Sequence, residues 1–185
     1  MTMKTARLAA GTGSSVVIES CQSCGNANLE SVLFLGYMPP VNKMRRIGEV
    51  PQEQAAYPTS WLYCPQCELV QLGLSVDPEI LFPPEYPYTS GTTAILRENF
   101  ADLHRECCSL LGLGPQDLVI DIGSNDGTLL ANFKDHGHPV LGIEPTEVGK
   151  IALGKGIPTV AHYFRPDVAR QVRALMFDLT PLVEP

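Results

Sequence analysis

Residues 118–122, Leu-Val-Ile-Asp-Ile, are a short run of apolar and mostly β-branched positions. That pattern predicts a strand buried on both faces of a parallel sheet. Glycines at 123 and 127 interrupt it, and an apolar-patterned segment from Thr128 to Phe133 predicts a helix. A second apolar run, 140–143, ends on Glu144. A helix over 147–155 stopped by Gly156, a strand over 157–160 and a helix from Pro166 to 175 follow, with 176–179 as a short fourth strand. Alternation of short apolar strands with helices is the mark of an α/β unit.

Upstream lies the clearest helix, 93–111. Leu96, Phe100, Leu103, Cys107 and Leu110 recur at +4, +3, +4 and +3, which predicts one buried apolar stripe. Thr92 or Thr93 can cap this helix, and Gly112 stops it. The N-terminal part has a different grain. Short strands are expected at 32–35, 61–63 and 69–72, around a Pro-stiffened extended loop at 36–41, a polar stretch at 43–57 and a short helix at 77–82. Residues 1–15 read as a flexible tail. The organisation that follows is 16–76 as one module, 77–114 as a loop and connecting helix, and 115–185 as the α/β part.

Cysteines define the first module. Cys21-Gln-Ser-Cys24 and Cys64-Pro-Gln-Cys67 are two C-x-x-C pairs. Thiolates separated by two residues on a tight turn can share one metal, and two such turns close a tetrahedral Cys₄ zinc site with no open position, so the zinc is structural. Gly25 eases the first turn and Pro65 stiffens the second. With roughly 55–70 residues, the module has too little core to be stable alone, and metal binding would supply folding energy. Cys107 and Cys108 read as core positions on the helix, and His136 and His138 as solvated loop residues.

The glycine loop defines the α/β part. Strand, glycine turn and helix bring backbone N–H groups up to a ligand. The spacing is Gly-x-x-x-Gly, and Asp121 and Asp126 flank it. Two carboxylates there disfavour a pyrophosphate but tolerate an ammonium and a sulfonium, as in S-adenosylmethionine (SAM). An acid at the end of the next strand, Glu144, stands where a ribose hydroxyl pair is gripped. The expected cofactor contacts are Asp121, Gly123, Ser124, Asn125, Asp126, Gly127 and Glu144. Between module and helix, the segment Tyr86-Pro87-Tyr88 presents two phenols on a stiff loop, candidates for carrying a proton to or from a site.

Across 185 residues the formal charge is −7, and the isoelectric point is near 5.0. No basic run exceeds Arg45-Arg46, so a nucleic-acid partner is not expected. No apolar run has the length of a membrane span. The N-terminus does not read as a signal peptide, which predicts a cytoplasmic setting where cysteines serve as ligands.

Together these motifs resemble the SAM-dependent sugar C-methyltransferases of deoxysugar pathways. The resemblance rests on the four cysteines, on Leu35-Gly36 with Pro39-Pro40-Val41-Asn42, and on residues 67–72. It continues through residues 86–92, Ile122-Gly123-Ser124-Asn125-Asp126-Gly127-Thr128, Gly142-Ile143-Glu144-Pro145 and Gly156-Ile157-Pro158-Thr159. It implies an α+β, zinc-ribbon-like N-terminal module followed by a Rossmann-like SAM-dependent methyltransferase domain. It also implies zinc and SAM as cofactors and methyl transfer to the carbon beside a keto group on a nucleotide-linked sugar. Tyr88, with Tyr86 as the alternative, matches the family's catalytic tyrosine.

The family's Glu-His pair and further His have no counterpart here, and its sheet has seven strands where this chain supplies three or four. The resemblance therefore implies an incomplete, inactive domain whose first strand lies at an exposed edge able to associate. The competing reading is a zinc-stabilised module that binds a sugar nucleotide or a protein and does no chemistry.

Overall fold

The structure, a computed structural model, describes residues 15–42, 46–50 and 53–177. The chain divides into two compact units, Met1–Pro83 and Pro84–Pro185. The expected tail lies outside the described residues except for Ser15. That residue is buried, and its hydroxyl accepts a hydrogen bond from the Asp77 amide at 2.9 Å.

The first unit is built of short antiparallel ribbons. Strand β1 (Val16–Val17) pairs with β5 (Leu74–Ser75), and β3 (Tyr57–Tyr63) lies between β2 (Glu30–Met38) and β4 (Val70–Leu72). Strand β2 is longer than its apolar pattern predicts. It takes in Gly36, Tyr37 and Met38 of the expected loop, through two register irregularities against β3. A one-turn helix, α1 (Pro78–Leu81), is capped by Asp77, whose Oδ1 accepts from the Glu79 amide. Among described residues the only buried hydrophobic side chains of this unit are Cys21, Tyr57, Cys64 and Leu74. So small a core leaves the cysteine cluster to supply the folding energy.

The second unit contains a parallel sheet in the order β6 (Val119–Ile122), β7 (Val140–Ile143), β8 (Thr159–Val160). Helices α2 (Ala94–Leu111), α3 (Thr128–Asp135), α4 (Gly149–Gly154) and α5 (Pro166–Phe177) surround it. Leu130, Phe133, Val140, Ala152 and Ile157 form a core on one face, and Leu141 and Ile143 meet Val168 and Val172 of α5 on the other. Helices on both faces of a parallel sheet make this unit α/β. Central β7 is buried throughout, as a doubly covered strand must be.

Two expectations need correction here. Contrary to what its composition predicts, strand β6 is not buried on both faces; it is an edge strand among the described residues, as the short sheet implies, and Ile122 is 55 % exposed. Its in-register partner Ile143, by contrast, is buried in the cluster with Val168 and Val172 of α5. Met176 and Phe177 belong to α5, so the expected strand at 176–179 does not begin there; 178 and 179 lie outside the described residues.

Helix α2 turns inward a face rotated from the predicted stripe. Leu96, Phe100 and Cys107 of the stripe are half-buried, but Leu103 and Leu110 are exposed, and His104 is the buried residue of the helix. Its imidazole stacks edge-on against Phe133 at 4.8 Å between centroids. Burial first, then the neighbouring His136, His138 and Arg105, holds His104 below the usual imidazole value. His136 is exposed as expected, but His138 is buried, because the α3–β7 turn folds it back against Phe133.

Candidate functional site

In the first unit the four cysteine sulfurs lie within 4.8 Å of one another. Cys21 and Cys67 are 3.5 Å apart, Cys24 and Cys64 3.6 Å. These separations are far from a disulfide bond and close to the ~3.8 Å edge of a sulfur tetrahedron with ~2.3 Å zinc–sulfur bonds. The donor set and its spacing fit zinc.

The local chain explains the geometry. Each C-x-x-C pair forms the same knuckle, in which the amide just after the second cysteine returns a hydrogen bond to the carbonyl of the first. Gly25 N donates to Cys21 O, and Glu68 N donates to Cys64 O, at 2.9 and 2.8 Å. The residue after each second cysteine is left-handed, Gly25 at φ +77° and Glu68 at φ +62°. Glycine suits that conformation, whereas Glu68 adopts it at a steric cost.

Two polar side chains that sequence reasoning passed over brace the centre. Gln71 of β4 accepts from the Gln22 amide at 2.9 Å and donates to Ser20 O, holding the first knuckle. Asn26 directs its amide at the Cys64 sulfur, 3.6 Å away. Burial pushes the Cys64 thiol up, but backbone donors at Cys67 and Gln66 and this Asn26 contact outweigh it and bring the thiol down to about 6. A thiol so placed is ready to ligate as thiolate.

In the second unit β6 leads into residues 123–127 and then α3. Gly123 and Ser124 both donate backbone N–H to Ile143 O, joining the loop to the end of β7. Asn125 is left-handed at φ +51°, and its amide donates to Glu144 Oε2 at 2.9 Å. Glu144 is 5 % exposed. Its other oxygen accepts from both the amide and the hydroxyl of Thr146, at 2.9 and 2.6 Å. A carboxylate has about four lone-pair sites, so three bonds leave room for one more donor.

Asp126 faces inward. Its Oδ1 accepts from the Thr128 hydroxyl and amide, covering an N-terminal donor of α3, and Oδ2 accepts from the Gly91 amide at 3.0 Å. Lys155 lies 3.5 Å from the same carboxylate. Burial alone raises the Asp126 carboxyl, but the Thr128 hydroxyl, the Gly91 and Thr128 amides and Lys155 together set it below the usual range. Asp121 is the opposite case: burial first, then the charge of Glu144, raises it.

The same loop grips the phenol-bearing segment. Asn125 accepts from the Ser90 amide at 2.8 Å and donates to Tyr88 O at 3.0 Å. With the Asp126–Gly91 bond, three hydrogen bonds latch 88–91 onto the glycine loop. The Tyr88 ring itself is about half exposed, and Tyr86 is half-buried. The structure thus brings Tyr88 and the Asn125–Asp126 pair into one assembly, over 35 residues of intervening chain. Thr146 and Lys155 were not singled out by sequence. The readable signal for Thr146 was a hydroxyl two residues past Glu144; Lys155 had none.

A knuckled Cys₄ centre in one unit and a parallel α/β unit with a glycine loop in the other are the parts expected of a zinc-bearing methyltransferase relative. Residues 21–82 match the family model Methyltransf_13, "Putative zinc binding domain". The chain is 25 % identical over 156 residues to the C-methyltransferase NovU of Streptomyces niveus, an alignment covering 84 % of this chain and 37 % of NovU. The resemblance to C-methyltransferases drawn from the motifs is therefore borne out, and the zinc-binding family model falls within the first unit. The chain spans about 37 % of the length of the curated relative it matches. Among the described residues no helix is long and apolar enough to cross a membrane.

Proposed function

We propose that this chain provides the structural zinc centre and the SAM-binding loop of a Rossmann-like C-methyltransferase, with a nucleotide-linked keto sugar as methyl acceptor. The observation that carries the reading is the second-unit assembly itself. A glycine loop opens α3, its Asn125 amide rests on an acid at the end of the adjacent parallel strand, and a tyrosine-bearing segment is latched to the same loop. Exposed Gly123 and the remaining capacity of Glu144 would contact the cofactor, the latter through a ribose hydroxyl. Ser124, Asn125, Asp126 and Gly127 would shape the loop around it, and Asp121 would line its approach. Bound SAM supplies an electrophilic methyl carbon on a sulfonium that leaves as a thioether. Tyr88, or Tyr86 in its stead, would take the proton from the carbon beside the keto group, so that this carbon forms the new bond to the methyl group.

The test is amide NMR of the full chain titrated with SAM to millimolar concentration. Shifts confined to 121–127 and the neighbourhood of Glu144 are expected; unmoved amides there overturn the cofactor assignment. Labelled SAM with a panel of 4-keto nucleotide sugars tests whether the chain turns over by itself. Since the strands and the Glu-His pair of the family's full sheet are not matched here, this chain alone is expected to give no turnover. Turnover by the isolated chain would move the catalytic assignment onto its own Tyr88 and His162.

A further inference from the structure

A second group of ligating side chains lies in the α/β unit, apart from both sites above. His104 and Cys108 are four residues apart on α2 and so share one face of the helix. His138, in the turn between α3 and β7, completes the group. One ligand atom from each of the three lies within 4.8 Å of the others, and Cys108 Sγ is 3.7 Å from His138 Nε2. In a tetrahedral zinc site the sulfur–nitrogen edge is about 3.6 Å, from bonds of about 2.3 and 2.05 Å.

Both imidazoles are more than nine-tenths buried, His104 at 5 % and His138 at 8 % exposed. His104 Nε2 has no hydrogen-bond partner, and His138 turns its Nε2 to the Cys108 sulfur. Buried polar atoms are almost always paired, and an orphaned imidazole nitrogen beside a thiol asks for a ligand. Packing alone accounts for the rings, which lie edge-on to Phe133, but not for the unpartnered His104 Nε2 or for the sulfur set against His138 Nε2.

We propose that His104, Cys108 and His138 bind a second transition-metal ion of the zinc class. One thiolate and two imidazoles are borderline-to-soft donors, which favour zinc, cobalt or copper over magnesium or calcium. Binding deprotonates the Cys108 thiol and releases its proton to solvent. Three protein ligands leave a fourth position open, unlike the closed Cys₄ centre. The site lies at the N-terminal end of β7, while Glu144 and the glycine loop lie at the C-terminal end. The ion therefore ties α2 to the α3–β7 turn and does not touch the proposed cofactor.

The experiment uses the full chain, prepared under reducing conditions, stripped by chelator and reloaded with Zn²⁺. Metal analysis is expected to give about two zinc per chain in the wild type. Cys108→Ser should lose one equivalent, as should the Cys64→Ser/Cys67→Ser double variant, each from a different site. Cys107→Ser, the adjacent thiol outside the cluster, should keep both. Because a variant may lose metal by misfolding, the wild type is also read directly by the ring ¹H–¹⁵N signals of His104 and His138, which should shift on adding the second equivalent. One zinc per chain, insensitive to Cys108→Ser, with both ring signals unmoved at excess Zn²⁺, overturns the proposal. None of these readouts involves SAM, so failure of the methyltransferase reading leaves them unaffected.

Discussion

Replacing Glu144 separates two roles that the sequence assigns to one. As a ribose acceptor alone, its loss would weaken cofactor binding and leave the fold intact. The structure gives it a second, bracing role. Three hydrogen bonds, from the Asn125 amide, the Thr146 amide and the Thr146 hydroxyl, converge on a carboxylate 5 % exposed. A hydrogen bond to a charged group contributes about 1.5–3 kcal/mol, and a buried donor left unpaired costs about 1–3 kcal/mol. The bonds share one carboxylate and do not add, so Glu144→Ala should destabilise the second unit by about 3–5 kcal/mol.

Glu144→Gln keeps the shape and an oxygen for Thr146, but sets an NH₂ group against the Asn125 amide. One charged bond is lost, about 1.5–3 kcal/mol. At 1.4 kcal/mol per factor of ten, hydrogen exchange at the Asn125 amide should quicken by about 10- to 150-fold, with the left-handed loop residue first to loosen. The assay is residue-resolved exchange on wild type and both variants, beside denaturant unfolding of the second unit. Unchanged Asn125 exchange and unchanged unfolding in Glu144→Ala would refute the bracing role, and a loss of SAM affinity alone would return Glu144 to the ribose.

Three further outcomes are expected. Removing the Cys₄ zinc by chelation, or mutating Cys64 and Cys67 to Ser, should unfold the first unit, because few buried hydrophobic side chains remain to hold it; circular dichroism and proteolysis of residues before 83 would show it, and an intact first unit without metal would count against a structural centre. Gly91→Ala would place a Cβ 2.6 Å from both Asp126 Oδ2 and Thr128 Oγ1, forcing the latch apart for about 1.5–3 kcal/mol; wild-type protection of the 88–92 amides in this variant would show that the latch tolerates it. Asp121→Asn should stabilise the protein at pH 7. The folded state raises the Asp121 carboxyl, so the stability it contributes is present below its unfolded value and lost as pH rises through the folded one; the gain from Asn should shrink as pH falls through that window, and a pH-independent difference would rule out this origin.

The zinc centre was legible in the sequence because its geometry is local. Each knuckle needs only two cysteines with two residues between them and a following residue able to turn left-handed, and Gly25 announces this where Glu68 does not. Strand β7 and Glu144 were legible for a similar reason, since a four-residue apolar run and an acid at its end are adjacent in the chain. The buried face of α2 was legible only in part: Leu96, Phe100 and Cys107 are half-buried as their spacing predicts, but His104 is not on that stripe. Periodicity marks which residues share a side of a helix, but the partner decides which side is covered, and here α3 brings Phe133 to His104 and leaves Leu103 and Leu110 in solvent. The same holds for β6: its composition matches β7, yet burial on both faces requires neighbours, and among the described residues it has a strand on one side only. The latch of 88–91 onto Asn125 and Asp126, and the meeting of His104 and Cys108 with His138, join residues some 30 to 37 positions apart. No spacing rule encodes such encounters; packing of α2 on α3 and the path of the chain into β7 decide them.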